Sequence, residues 1–173
     1  MVSIDGTNYS NILGNENVFP VKSDIDKSII ERLKRIPTPN IGDVMGRMMG
    51  IDPTIRHLNN VNCVGRAITV KVPNGDNLFL HKAIDDYARE DMVIVCSQIG
   101  NSDRALIGEL MLSSAERREL VGVIVDGYIR DYEYIKESSN LGVFAKGACL
   151  NGPYKNGPGE INTPIAIGNQ VVF

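Results

Sequence analysis

The apolar positions of this chain fall into distinct patterns, and each predicts a different element. From Arg66 to Val72 they alternate, with Ile68, Val70 and Val72 on one side and Ala67, Thr69 and Lys71 on the other. That is a strand with one buried face. Met92-Val93-Ile94-Val95-Cys96 and Val121 to Val125 are continuous apolar runs. Strands of that kind are covered on both faces, as in the parallel sheets of α/β proteins. Between the two runs a helical period extends roughly from Leu106 to Arg118, with Ile107, Leu110, Met111, Ser114 and Ala115 on its inner stripe. Strand, helix and strand make a parallel βαβ unit whose crossover is expected to be right-handed.

The flanking segments are weaker. Residues 1–22 are polar and aperiodic and read as an N-terminal arm, which leaves 23–173 as one α/β domain. Ser23 or Asp24 can cap a helix through about Arg35, with Ile25, Ile29, Leu33 and Ile36 on one stripe. Pro37 and Pro39 interrupt it, and a second short helix is expected from Ile41 to Met49, its apolar face made by Ile41, Val44, Met45 and Met48. After the turn Pro73-Asn74-Gly75, Asp76 can cap a helix carrying Leu80, Ala83, Ile84 and Tyr87. A shorter strand is expected at Val143 to Ala145, then a loop rich in Gly, Pro and Asn from Gly147 to Gly159. Pro164 to Ile167 reads as a strand, Gly168-Asn169 as a turn, and Gln170 begins another strand in which the chain stops. Either that strand is very short or strands belonging to the fold are missing.

Composition narrows the classes. A chain of 173 residues suits one domain with a real core, and 43% apolar with 23% charged residues is ordinary for a soluble globular protein. A net charge of −3 supplies no basic face for a nucleic acid, and no apolar run approaches a membrane span. The stretch Met1 to Gly6 lacks the basic and apolar regions of a signal peptide. Cys63, Cys96 and Cys149 are odd in number and far apart, which argues against a disulfide scaffold or a zinc ribbon and for a reducing, cytoplasmic setting.

The candidate chemistry lies around the βαβ unit. Twenty residues separate Glu109 from Arg130-Asp131, an interval that fits one helix and one strand. Both ends can therefore meet at the same sheet edge. Glu109 either complements the dipole of its helix, worth roughly 0.3–1 kcal/mol, or works on a proton beside N–H groups of Glu109, Leu110 and Met111 that bind a carboxylate. Arg130-Asp131 is either a surface ion pair or an anion site at the carboxyl end of a strand, where ligands of open α/β sheets gather. The planar fork of arginine suits a carboxylate. Only two histidines are present, His57 and His81, in no zinc spacing, so a site built from Asp131, Glu109, waters and substrate oxygens would take Mg²⁺ or Mn²⁺. His81 reads as a structural or rim residue. No dinucleotide or P-loop glycine pattern and no nucleophile elbow occurs, and Lys155 reads as a loop cation, not a Schiff-base lysine.

Several segments in order resemble the RraA-like family: Gly75-Asp76-Asn77-Leu78 with His81, Gly108 to Met111, Val125-Asp126-Gly127 through Arg130-Asp131, Lys146-Gly147, Gly152-Pro153-x-Lys155 and Gly159-Glu160-x-Asn162-x-Pro164. That family contains class II 4-hydroxy-4-methyl-2-oxoglutarate aldolases, which also decarboxylate oxaloacetate, and non-catalytic regulators that bind ribonuclease. The aldolase branch is marked by an acid, twenty residues and Arg-Asp, which Glu109, Arg130 and Asp131 fit. The resemblance implies a three-layer β/β/α swivelling-type domain assembled as trimers or dimers of trimers. It also implies a substrate site lined by Gly108, Glu109, Leu110 and Met111, with Arg130 holding a 2-oxo acid and Asp131 ligating a divalent metal. The catalytic residues would be Glu109 and Arg130. Two departures are visible: the family's acid four residues beyond the arginine is here Tyr134, with Glu133 one earlier, and relatives continue past Gly168-Asn169 with more strands.

Overall fold

The segments expected as strands pair with one another, and the longest four run parallel. The structure is a computed structural model, which describes residues 17–21, 25–137 and 139–173. The chain runs β1 (Asn17–Val18), α1 (Lys27–Leu33), α2 (Thr38–Val44), β2 (Arg56–His57), β3 (Arg66–Val72) and α3 (Leu78–Lys82), which continues as a π-helical turn over Ala83–Tyr87. There follow β4 (Met92–Gln98), β5 (Ala105–Ile107), α4 (Glu109–Arg117), β6 (Gly122–Asp126), β7 (Tyr128–Ile129) and α5 (Tyr132–Glu137). The last elements are β8 (Gly142–Ala145), β9 (Gly147–Ala148), β10 (Glu160–Ile161), β11 (Ile165–Ile167) and β12 (Gln170–Val172).

The main sheet has the order β1-β10-β3-β4-β6-β8-β2, with β3, β4, β6 and β8 parallel, β10 antiparallel to β3 and parallel to the edge strand β1, and the other edge strand β2 antiparallel to β8. Its centre is covered on both sides, as the continuous apolar runs require. Ile94 and Cys96 of β4 join Ile68, Val70, Phe79, Leu80 and Leu112 in the core under the helices. Val93 and Val95, pointing the other way, pack with Ile55, Ile165 and Ile167 under the β11–β12 hairpin. Helices, sheet and hairpin are the three layers of the α/β domain that the sequence implied.

A second, three-stranded parallel sheet, β5-β7-β9, is built by segments that leave the carboxyl ends of the main strands. It corrects the expected start of the central helix. Leu106 and Ile107 are strand residues, fully buried, and α4 begins only at Glu109. Consequently Met111, Leu112 and Ala115 face inward, whereas Leu110, expected on the inner stripe, is 78% exposed.

Other boundaries also move. The cap of α1 is Asp26, whose carboxylate accepts from Ser28 N at 2.8 Å; Ser23 and Asp24 lie outside the described residues. Only Ile30 of α1 is buried, so the expected Ile25–Ile29–Leu33–Ile36 stripe is not the packed one. The second helix starts at Thr38, because Pro39 in a first turn needs no N–H partner. It ends at Val44, where Gly46 and Arg47 take positive φ, and it buries no residue.

Candidate active site

The β5–β7 pairing brings Glu109 and Arg130-Asp131 to one place. Arg130 N donates to Ile107 O at 3.0 Å, which seats the strand end beside the start of α4. Asp131 then turns back with φ 57°, a left-handed conformation that aspartate tolerates better than most residues. In that geometry its Oδ2 accepts from Glu109 N at 3.0 Å and lies 3.6 Å from Arg130 Nε. The closeness depends on Gly108. A Cβ there would stand 2.5 Å from Asp131 Oδ2 and 2.8 Å from Arg130 Cγ.

The helix terminus is less open than the sequence implied. The N–H of Glu109 is taken by Asp131, and those of Met111 and Leu112 reach Gly108 O at 3.1 and 3.0 Å. Leu110 keeps an N–H in the first turn, where a helix offers no acceptor. Asp131 thus holds with one oxygen the helix end at which an anion would be expected. The side chains of Arg130 and Asp131 are 44% and 40% exposed, and Glu109 is exposed.

Behind these groups is a small cavity of about 80 Å³, lined among others by Asn77, His81, Gly108, Met111, Arg130 and Lys155. Its outer wall is a loop held down by a buried carboxylate. Asp76 Oδ2 accepts from Asn156 N at 2.6 Å and Gly157 N at 3.1 Å, and its Oδ1 from Leu78 N at 2.9 Å. The N-cap of α3 is Asn77, not the expected Asp76; Asp76, one residue earlier, accepts from the first helical N–H and ties the 153–157 loop to the helix start. Arg104 secures the same loop, stacked 4.1 Å from the Tyr154 ring and donating to Gly152 O at 2.7 Å. Half-burial pushes the His81 imidazole below its usual pKa, and the Lys155 ammonium adds to this against an opposing Asp85. His81 is accordingly neutral at pH 7.

Asn77 was missed as a site residue by the reading of the chain as a sequence. It is 2% exposed, and its amide nitrogen donates to Leu106 O at 2.8 Å and Met111 Sδ at 3.1 Å. Its Oδ1 has no hydrogen-bond partner. The position directly after Asp76 carries a signal, since an Asn beginning a buried helix has polar atoms to place, but nothing in the sequence shows which are left over.

Tyr134, in the place of the family's acid, points away from the site: its hydroxyl lies 3.1 Å from Ser113 Oγ and 3.2 Å from Glu116 Oε2. Lys146 is likewise spent, with Nζ 2.5 Å from Asp126 Oδ1, close as charges though not aligned as a hydrogen bond. Among the described residues no group of three or more His, Cys, Asp or Glu converges as a metal cage. One or two carboxylates, Asp131 and Glu109, fit instead a hard cation that keeps most of its waters and takes the rest of its oxygens from a substrate.

This arrangement defines an α/β protein with an arginine, a carboxylate and a helix start beside a small pocket, and comparison with known proteins gives its family. Residues 38–173 match the RraA-like family model, Aldolase/RraA, and the chain belongs to that family. A Halalkalibacterium halodurans protein bearing the provisional name 4-hydroxy-4-methyl-2-oxoglutarate aldolase is 34% identical over 147 residues, 84% of this chain and 69% of its own length. A Bacillus anthracis protein of the same provisional name is 35% identical over 104 residues, 60% of this chain and 64% of its own, so the match spans under two thirds of that relative. Among solved structures, the RNA-processing inhibitor RraA from Thermus thermophilis superposes with a TM-score of 0.71 at 22% identity, over 80% of this chain and 83% of the other. A Geobacillus kaustophilus structure described as an S-adenosylmethionine: 2-dimethylmenaquinone methyltransferase superposes at 0.70 with 25% identity, over 79% and 84%. These likenesses carry the fold. No described helix is long and apolar enough to cross a membrane.

Proposed function

We propose that the protein is a divalent-metal-dependent carbon–carbon lyase that cleaves 4-hydroxy-4-methyl-2-oxoglutarate, or a related 4-hydroxy-2-oxo acid, to pyruvate, and that also decarboxylates oxaloacetate. The observation that supports this reading best is the meeting of Arg130, Asp131 and the start of α4 beside one pocket, which Arg130, Gly108 and Leu110 line. Those groups match what a 2-oxo acid presents: a carboxylate and an adjacent carbonyl.

Asp131, with Glu109 near it, would hold Mg²⁺ or Mn²⁺, and when bound the ion supplies Lewis acidity at the C1 carboxylate and C2 carbonyl. Arg130 binds and orients the 2-oxo acid, and its guanidinium stabilises the negative charge that grows on the C2 oxygen. Leu110 N–H, at the positive end of α4, adds a donor for the C1 carboxylate. In aldol cleavage the C4 hydroxyl proton leaves, the C4 oxygen becomes a carbonyl, the C3–C4 bond breaks, and its electron pair passes into the pyruvate enolate. A proton must then reach C3. Glu109, exposed on the first turn of α4, is the residue assigned to move both protons, through a water it holds. Decarboxylation of oxaloacetate reaches the same enolate by loss of carbon dioxide. Assembly as a trimer or a dimer of trimers belongs to the same proposal, and a subunit interface would cover exposed apolar side chains such as Leu110 at 78% and Leu150 at 95%.

Pyruvate release from both substrates, with Mg²⁺, with EDTA and in Arg130→Ala, tests the proposal. Metal-dependent release that falls by at least ~100-fold in the variant is expected from loss of a charge-stabilising donor. Release that survives the substitution would overturn the assignment. No release by folded wild-type protein would favour a protein-binding regulator without chemistry.

A further inference from the structure

Buried polar atoms in folded proteins are nearly always paired, and each exception asks for an explanation. Among the described residues two side-chain oxygens are exceptions: Asp126 Oδ1 has the Lys146 ammonium beside it, and Asn77 Oδ1 has nothing. The orientation of the amide is set by its other end, since the nitrogen donates to Leu106 O at 2.8 Å and to Met111 Sδ at 3.1 Å. Flipping it would set two oxygens against each other at the Leu106 end. The orphan is therefore the acceptor oxygen. Asn77 is 2% exposed and lines the cavity that Arg130 and Gly108 also line. The oxygen can take a hydrogen bond but cannot give one.

That property selects among the groups a ligand could bring. The carboxylate and keto oxygens of a 2-oxo acid are acceptors and have nothing to offer it. On a 4-hydroxy-2-oxo acid, the hydroxyl at C4 is the one neutral donor. Both substrates carry a second carboxylate at that end, and only the hydroxylated one brings a donor for an unpaired carbonyl oxygen. We propose that Asn77 Oδ1 receives the C4 hydroxyl of the substrate and so favours aldol cleavage over oxaloacetate decarboxylation at this site. The assignment rests on the lyase reading above. Asn77 orients the hydroxyl without removing its proton, and the contact holds until the O–H bond breaks, so it stabilises the bound substrate and the transition state alike. Its effect is thus expected in KM more than in kcat.

The experiment measures kcat and KM for 4-hydroxy-4-methyl-2-oxoglutarate and for oxaloacetate in wild type, Asn77→Ala and Asn77→Ser, each with saturating Mg²⁺. Circular dichroism checks the fold of each variant. A site that loses a hydrogen bond to a substrate hydroxyl discriminates less, and the ratio of the two kcat/KM values should fall roughly 10- to 100-fold in Asn77→Ala. Most of that change should lie in KM for the hydroxylated substrate, and Asn77→Ser, which restores a small acceptor, should recover part of it. Equal loss of both reactions would make Asn77 a support for Met111 and the pocket wall and would overturn the assignment. So would an unchanged ratio, or failure of both variants to fold. If wild-type protein acts on neither substrate, the lyase reading itself has failed and the role of Asn77 falls with it.

Discussion

Replacing Gly108 by alanine adds one methyl group at the most crowded point of the site. The backbone of Gly108 is extended, with φ −150° and ψ −170°, so alanine meets no torsional penalty there. The cost is contact alone. The new Cβ would lie 2.5 Å from Asp131 Oδ2, 2.8 Å from Arg130 Cγ and 3.1 Å from Arg130 Nε, where ordinary contact begins at 3.4 Å. Arg130 and Asp131 must therefore retreat by several tenths of an ångström to about 1 Å, a distance read from those gaps. That retreat stretches the 3.0 Å bond from Glu109 N to Asp131 Oδ2. Overpacking of this kind costs about 1–3 kcal/mol, which lowers Tm by roughly 2–12 °C in a chain of this size. A displacement near 1 Å of the groups that hold the substrate costs about 100-fold in turnover. Differential scanning calorimetry and steady-state pyruvate release read the two effects separately. A Gly108→Ala variant that keeps both Tm and kcat/KM near wild type would show the close approach of Gly108 to the Arg-Asp pair to be dispensable.

Two further outcomes follow from the same geometry. Asp131→Asn retains an oxygen to accept from Glu109 N but loses the carboxylate charge, so the fold should persist while Mn²⁺ affinity, followed by electron paramagnetic resonance, drops at least ~10-fold; unchanged Mn²⁺ binding would remove Asp131 as the ligand. Lys155→Ala removes a cation that holds the His81 pKa down, so an NMR titration should find that pKa higher in the variant than in the wild type. For the wild type the sign is fixed by the lowered pKa: above about 6.5 both states are neutral, and as pH falls through that value the unfolded chain takes up the proton first, so His81 withdraws stability on acidification. A His81 that titrates identically with and without Lys155 would place the loop cation too far away to matter.

The parallel sheet was legible because its signal is dense. Met92–Cys96 and Val121–Val125 are short, rich in Val and Ile and free of polar side chains, which is the pattern of a strand buried on both faces. The start of α4 was not legible for the opposite reason. Leu106 and Ile107 continue the helical period of Met111 and Ala115 backward, yet they pair with β7. Three residues are too short for a period of two to announce itself, and pairing with a strand more than twenty residues away leaves no local trace. The first two helices show the same limit, since a stripe of Ile or Met at helical spacing predicts a face to be covered but not whether this chain covers it.

The site divides along the same line, and Asp76 shows why. A carboxylate before a helical segment reads as a cap, and Asp76 does accept from Leu78 N. Its second oxygen, however, is bound to the backbone of Asn156 and Gly157, eighty residues away in sequence. Motif spacing could put Glu109 near Arg130-Asp131, because one helix and one strand connect them and their lengths are known within a residue or two. It could not put Lys155 against His81, or leave the oxygen of Asn77 over, because both depend on where a glycine-rich loop is tied down. The residues that perform the proposed bond cleavage are therefore those that the sequence exposes through short connections. The residues that choose between substrates sit at long-range contacts, and their placement has to come from the structure.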